Sequence, residues 1–415
     1  MAVEILQGDA LTTLRTLPDE SVHCCITSPP YYGLRSYLPD GHNDKPMEIG
    51  LEESPEAFIE RLVEVFREVE RVLHPSGVIF VNMGDGYWGG KGKNGNTAAR
   101  QTAEERGYKQ SSGTLQVPWR PQDGKHPIYK PKDLLGMPWR LAFALQADGW
   151  WLRSEITWCK KSAMPESVRD RPTTATEKIF LLAKQAKYFY DAEAVKVPAV
   201  TKHLPGHNMT DTRKTYGPQN GGNSGIPKML QRYHEEGLPT HANQRNFWLL
   251  GPENFPDAHF AVFPTEVPRR CILAGTSARG VCPACLAPYE RIVEKTGGTI
   301  GQSWHNHSQD KEAGMSQYDP KLQAGGLGTA KGKEGNPYRV TTTGWRPTCA
   351  CDAGDPVPAT VLDPFGGAGT TGLVANRLGR NAILIELKEE YCAMARKRIH
   401  DDAPLFAERE SYVST

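Results

Sequence analysis

The sequence predicts an α/β domain built on a doubly wound, mostly parallel sheet. Three observations carry this. Apolar residues at helical spacing over 58–73 run into a buried-type strand at 78–81. A strand-like run at 360–362 meets a glycine-rich turn and then a helical stretch at 370–378. A further apolar run at 382–385 ends in an acidic residue, Glu386. Helix–strand alternation of this kind is the signature of parallel pairing, because parallel neighbours need a crossover.

The elements follow in order. Residues 22–26 form a short strand that stops at Thr27-Ser28-Pro29-Pro30, since two prolines cannot continue a ladder. Phe58, Leu62, Val65, Phe66, Val69 and Leu73 mark one helix face. Pro75-Ser76-Gly77 turns the chain into the strand at 78–81. From 84 to about 132 the chain is rich in Gly, Lys, Gln and Pro and reads as a long mobile loop. A helix is expected at 141–147, and strands at 151–158 and 178–183. Residues 201–242 and 295–345 are again irregular in composition. Tyr391, Met394, Ala395 and Ile399 mark a final amphipathic helix. There is no internal repeat.

The chain has 415 residues, 38% of them hydrophobic, enough for one large domain with insertions or for two domains. No run of 18 apolar residues exists, which argues against a membrane-spanning helix. Met1-Ala2-Val3-Glu4 lacks a basic and then apolar leader, so a cytoplasmic location is expected. Nine cysteines in a chain of this length do not suggest a secreted disulfide scaffold. The net charge is +1, but it is unevenly spread: residues 91–232 carry 24 basic and 12 acidic residues, against 6 and 15 in residues 1–90. A basic middle suits a phosphate backbone, and equally suits solvated lysines on loops.

Two segments carry chemistry. Asp363-Pro364-Phe365-Gly366-Gly367-Ala368-Gly369-Thr370-Thr371 follows a strand and opens a helix. Its glycines admit a ligand close to the backbone, and free N–H groups at the helix start favour an anion. No Gly-Lys-Ser/Thr follows, which argues against a nucleotide-triphosphatase loop. Glu386, at the tip of the next strand, can bind both hydroxyls of a ribose. Thr27-Ser28-Pro29-Pro30-Tyr31-Tyr32 is the more specific signal. An exocyclic base amine is a poor nucleophile because its lone pair is delocalised into the ring. Acceptors around its N–H groups, here the Ser28 hydroxyl and the Pro29 carbonyl, favour a tetrahedral nitrogen. Pro29 and Pro30 stiffen the backbone that presents them. Tyr31 offers a ring on which an extruded base can stack. A plain strand-ending turn with a packed tyrosine is the alternative.

Together, the Thr-Ser-Pro-Pro-Tyr and Asp-Pro-Phe-Gly-Gly-Ala-Gly-Thr-Thr motifs resemble those of the amino-type (N4-cytosine/N6-adenine) site-specific DNA methyltransferases of bacterial or phage type. The catalytic motif precedes the cofactor motif, which resembles their beta group. The resemblance runs from Gly8-Asp9 to about Ile399. It implies a circularly permuted methyltransferase fold, S-adenosylmethionine as cofactor and double-stranded DNA as partner. It also leaves open a separate restriction nuclease. Implied cofactor contacts are Asp363, Phe365, Gly367, Gly369, Thr370, Thr371 and Glu386, with Thr27 and Asp9 from the N-terminal segment. Asp9 equally fits an N-cap. Phe263, in the segment His259-Phe260-Ala261-Val262-Phe263-Pro264, is a further candidate, or a core phenylalanine. Arg169-Asp170-Arg171-Pro172-Thr173 through Glu177-Lys178 resembles the segment near the base pocket. Ser28, where adenine enzymes of this family usually carry Asp, implies cytosine N4 over adenine N6.

The implied organisation is a catalytic half at 1–200 with a mobile loop at about 86–130. A target-recognition insertion follows at 201–258, then a cofactor-binding half at 259–415. The recognition insertion carries Lys202, Arg213, Lys214, Lys228 and Arg232 beside Tyr216, Asn220, Asn223 and Gln231. A flexible insertion is the alternative. Cys282-Pro-Ala-Cys285 and Cys349-Ala-Cys351 flank a further insertion at about 282–351 and suit a structural, tetrahedral zinc; four unrelated thiols are the alternative. Two rivals to the whole reading are an RNA or protein amino-methyltransferase and a catalytically silent nucleic-acid-binding protein. No cysteine lies in the 27–32 loop, which argues against carbon-5 chemistry.

Overall fold

Eight strands form one sheet in the order β1-β12-β11-β2-β3-β5-β4-β8. They are β1 (Val3–Gln7), β2 (Val22–Thr27), β3 (Leu73–Met83), β4 (Trp151–Lys160), β5 (Thr176–Ala183), β8 (Phe247–Leu250), β11 (Thr360–Asp363) and β12 (Asn381–Glu386). The computed structural model describes residues 2–34, 36–38, 41–89, 125–163, 165–199, 240–253, 262–296 and 339–402. β5 pairs antiparallel with both β3 and β4, and every other recorded pairing in this sheet is parallel. The expected mostly parallel sheet is therefore present. The last strands of the chain, β11 and β12, sit between β1 and β2, which is the permuted arrangement.

Helices form two groups. α1 (Ala10–Leu14), α2 (Pro55–Val72) and α3 (Met137–Ala147) pack in series. So do α4 (Glu266–Gly275), α5 (Thr370–Arg377) and α6 (Glu389–Asp402). α2 shows why its residues fold this way. Ser54 Oγ accepts from the Ala57 N–H at 3.1 Å, Pro55 opens the first turn, and Phe58, Leu62, Val65, Phe66 and Val69 bury one stripe. That stripe joins Leu14, Ile79, Trp150 and Phe180 in the main core.

β3 departs from expectation. Pro75-Ser76-Gly77, read as a turn, lies within the strand, where a two-residue step on β2 (Val22 to Cys24) faces a five-residue step on β3 (Leu73 to Val78). A bulge absorbs the proline that a regular ladder would reject.

By contacts the chain divides into two units. One comprises residues 1–194, 245–290 and 347–415 and contains the sheet. The other comprises 195–244 and 291–346. In the latter, β6 (Val197–Pro198) pairs antiparallel with β7 (His241–Ala242). β9 (Tyr289–Thr296) pairs with β10 (Arg339–Pro347), where the Arg291 guanidinium stands 4.5 Å from the Trp345 ring centroid. Most of the expected mobile loop, and the basic and amide residues singled out in 201–232, lie outside the described residues. No helix of the described residues is long and apolar enough to cross a membrane.

Candidate active site

The sheet itself locates the site. β11 leads through α5 to β12 on one side, and β2 leads through α2 to β3 on the other. Loops leaving β11 and β2 therefore diverge, and a crevice opens at their C-terminal ends, where ligands bind in doubly wound folds. A cavity of about 760 Å³ occupies it. Asp363 and Ser28, from the two motifs at opposite ends of the chain, both line it.

Asp363 ties the two strands together. Its Oδ1 accepts from Thr27 Oγ1 at 2.7 Å and the Phe365 N–H at 3.1 Å; its Oδ2 accepts from Thr371 Oγ1 at 2.7 Å. Burial pushes this carboxyl up to about 6 against the pull of those three donors. Thr27 and Thr371 are buried and do not line the cavity; they act through Asp363. Gly369 does not line it either. It holds the turn before α5 at φ +73°, where a Cβ would fall 2.7 Å from that of Ala395.

Phe365, Gly367, Thr370, Glu386, Asp9 and Phe263 do line the cavity. Glu386 accepts from the Gly367 N–H at 2.8 Å and the Lys388 N–H at 2.9 Å. Burial raises its carboxyl to about 7, with Asp363 adding to the rise. A half-buried carboxylate poised this way gains from new hydrogen-bond donors, such as ribose hydroxyls. Asp9 also caps α1, accepting from the Thr12 N–H and hydroxyl at 2.9 Å each, so the capping alternative describes its geometry. His259, Phe260 and Ala261 lie outside the described residues.

Ser28, Pro29, Pro30 and Tyr31 line the other part of the cavity. Tyr31 is fixed at both ends. Its hydroxyl donates to Glu177 Oε2 at 2.7 Å, and its ring lies so close to Gly84 that a Cβ there would fall 2.6 Å from Cε2. Burial and the Glu177 carboxylate hold its phenol well above the ordinary value. Asn82 Nδ2 donates to Glu177 Oε2 at 2.8 Å and reaches Tyr31 Oη at 3.2 Å and Ser28 Oγ at 3.3 Å. Lys160 Nζ donates to Glu177 Oε1 at 2.6 Å and stands 5.2 Å from the Trp158 ring centroid. Asn82, Trp158, Lys160 and Glu177 all line the cavity.

Sequence reasoning missed Asn82, Gly84, Trp158 and Lys160, and reached Glu177 only as part of a segment. Strand direction explains the convergence. β5 runs opposite to its neighbours, so its first residues, not its last, arrive at the edge where β3 and β4 end. Asn82 Oδ1 is buried with no hydrogen-bond partner among the described residues, an arrangement that costs roughly 1–3 kcal/mol. Two acceptors (Ser28 Oγ and the Glu177 carboxylate), one cation and a pinned ring can grip the polar edge of a flat heterocycle carrying an amine. From the 169–178 segment, Arg171 instead stacks 4.1 Å from the Tyr87 ring centroid and Asp170 pairs with Lys132.

Cys282, Cys285, Cys349 and Cys351 come together, their four Sγ atoms within 4.8 Å of one another. They do not line the cavity.

The N6_N4_Mtase family, described as DNA methylase, matches residues 22–282 and 356–397. The type II methyltransferase M.SmaI of Serratia marcescens is 33% identical over 396 residues, covering 95% of this chain and 90% of its own length. Type II methyltransferase M.Cfr9I of Citrobacter freundii is 41% identical over 275 residues, covering 66% and 72%. Among solved structures, the PvuII DNA methyltransferase, named as cytosine-N4-specific, aligns with a TM-score of 0.47 and 16% identity over 97% of this chain and 92% of that one. With the catalytic and glycine-turn motifs converging on one crevice and the family matched across most of the chain, this protein belongs to the N6/N4 DNA methylases and is an amino-type DNA methyltransferase.

Proposed function

We propose that the enzyme methylates the N4 amine of cytosine in double-stranded DNA, as the modification partner of a separate restriction nuclease. The observation that carries the choice of base is the donor set beside the catalytic loop. Lys160 Nζ and Asn82 Nδ2 meet at Glu177, next to a neutral Ser28. The Watson–Crick edge of cytosine sets two acceptors, N3 and O2, beside its amine. Adenine sets one acceptor, N1, beside a C–H. A cation and an amide N–H suit the former. The type II designation of the two relatives supports a restriction–modification setting.

Glu386, Asp9, Phe365, Thr370 and Phe263, around the glycine turn, would hold S-adenosylmethionine, which would supply an electrophilic methyl group on a positively charged sulfur. Everything else falls to the chain. The base leaves the duplex and stacks on Tyr31, whose ring cannot swing because Gly84 and Glu177 fix it. Ser28 Oγ and the Pro29 carbonyl accept the amine hydrogens and turn the nitrogen lone pair out of the ring plane. Transfer to nitrogen would be direct: the N–C bond would form as the sulfur–methyl bond breaks, and the methylated amine would then lose one proton to solvent. No cysteine lines the cavity among the described residues, and Cys24 and Cys25 are buried on β2 with thiols pushed well up by burial, so no thiolate is at hand to attack the ring.

The test is nucleoside analysis. Duplex DNA, RNA and protein are each incubated with the enzyme and labelled cofactor, and the labelled DNA is digested and resolved by mass. N4-methylcytosine from duplex DNA is expected. N6-methyladenine alone overturns the base assignment, and label only in RNA or protein overturns the substrate.

A further inference from the structure

We propose that Cys282, Cys285, Cys349 and Cys351 hold one structural zinc ion that braces the sheet at the end opposite the active site. The four sulfurs lie within 4.8 Å of one another, and none is in a disulfide. Sulfurs around tetrahedral zinc stand about 3.8 Å apart, given Zn–S bonds of about 2.3 Å. Burial alone does not explain the cluster, because Cys285 and Cys351 are exposed and free cysteine is ordinarily among the most buried residues. Sixty-three residues separate Cys285 from Cys349, so no local turn brings the pairs together.

The backbone is shaped for a ligand-bearing knuckle. The Leu286 N–H donates to the Cys282 carbonyl, and the Cys282 N–H to the Ala287 carbonyl, at 2.9 Å each. Leu286 takes a left-handed conformation, φ +60°, to close this turn. Soft thiolates in a tetrahedral set select zinc or iron. Four protein ligands leave no open position, so the ion serves structure and not chemistry.

The knuckle is joined to the sheet. Val281 and Val357 exchange backbone hydrogen bonds at 2.9 and 3.0 Å. His23, on β2, bridges Leu286 and β11: its Nε2 meets the Leu286 carbonyl at 3.1 Å, and its Nδ1 accepts from the Thr360 N–H at 3.0 Å. Those partners fix the ring as the neutral tautomer with the proton on Nε2. β2 and β11 thus start at the knuckle and end at Ser28 and Asp363. Five residues of strand, about 17 Å, separate His23 from Ser28.

Elemental analysis of the full-length protein, purified without chelator, decides the matter. We expect about one zinc per chain, released by a mercurial reagent that titrates four thiols. Cys285→Ser and Cys351→Ser should each lose most of the metal and lower the melting temperature, while Cys159→Ser, outside the cluster, keeps it. Cofactor affinity of any folded, zinc-depleted protein should change far less than its melting temperature. Metal-free wild-type protein whose four thiols alkylate freely, or stoichiometric iron in place of zinc, overturns the proposal. Wild-type metal content is read independently of whether the variants fold.

Discussion

Division of labour within the cavity is clearest at single residues. Ser28, Pro29 and Tyr31 line the part of the cavity proposed to meet the base, whereas Glu386 and Gly367 belong to the glycine-turn part. Pro29→Ala or Tyr31→Ala is therefore expected to slow single-turnover methylation on the order of 100- to 1000-fold while leaving cofactor affinity nearly unchanged. Parallel losses in both would mean that the loop only holds the fold together. Glu386 allows a pH test. Its carboxyl moves from 4.5 to about 7 on folding, so the folded state binds the extra proton between those values. Its contribution to stability is full below about 4.5 and is lost as pH rises through about 7, on the order of 3 kcal/mol in all. His23, lowered to about 4 by burial, acts in the opposite direction and is common to both proteins compared. Glu386→Gln should thus gain stability relative to wild type as pH rises from 5 to 8, measured by thermal unfolding without cofactor, and should weaken cofactor binding about tenfold or more. A flat difference curve would place the titrating group elsewhere.

At the level of elements, what the sequence made legible depended on length and period. α2 was readable because eighteen residues repeat one buried stripe under a Ser-Pro start. β8 and α4 were not, since four strand residues and a ten-residue helix holding Pro268 repeat their patterns only about two and three times. The 27–32 loop and the glycine turn were legible because prolines and glycines state their backbone demands locally. Asn82, Trp158 and Lys160 were not, because they stand at the ends of β3 and β4 and meet a common partner only where the reversed β5 brings Glu177 to them, a property of strand pairing and not of composition. The glycine turn also carries a prediction of its own. Gly369→Ala must adopt a left-handed backbone and push against Ala395 on α6, so it should cost about 2 kcal/mol or more in denaturant unfolding and weaken cofactor binding. Unchanged stability would mean that the turn has room to relax.

Across the whole molecule, a permuted chain order closes one crevice from both ends of the sequence. Thr27 and Asp363, 336 residues apart, share a buried hydrogen bond. The basic charge of the chain's middle, noted from sequence alone, falls partly on residues beyond those described, and so does the candidate recognition segment. Methylation-resolved sequencing of DNA from cells expressing the enzyme, beside cells expressing the Pro29→Ala form, reports base and site together. N4-methylcytosine at one short recurring sequence, absent with the variant, is the expected result. Methylation confined to adenine would contradict the assignment of the base, and no methylation above the variant would contradict the reading of this crevice as the active site.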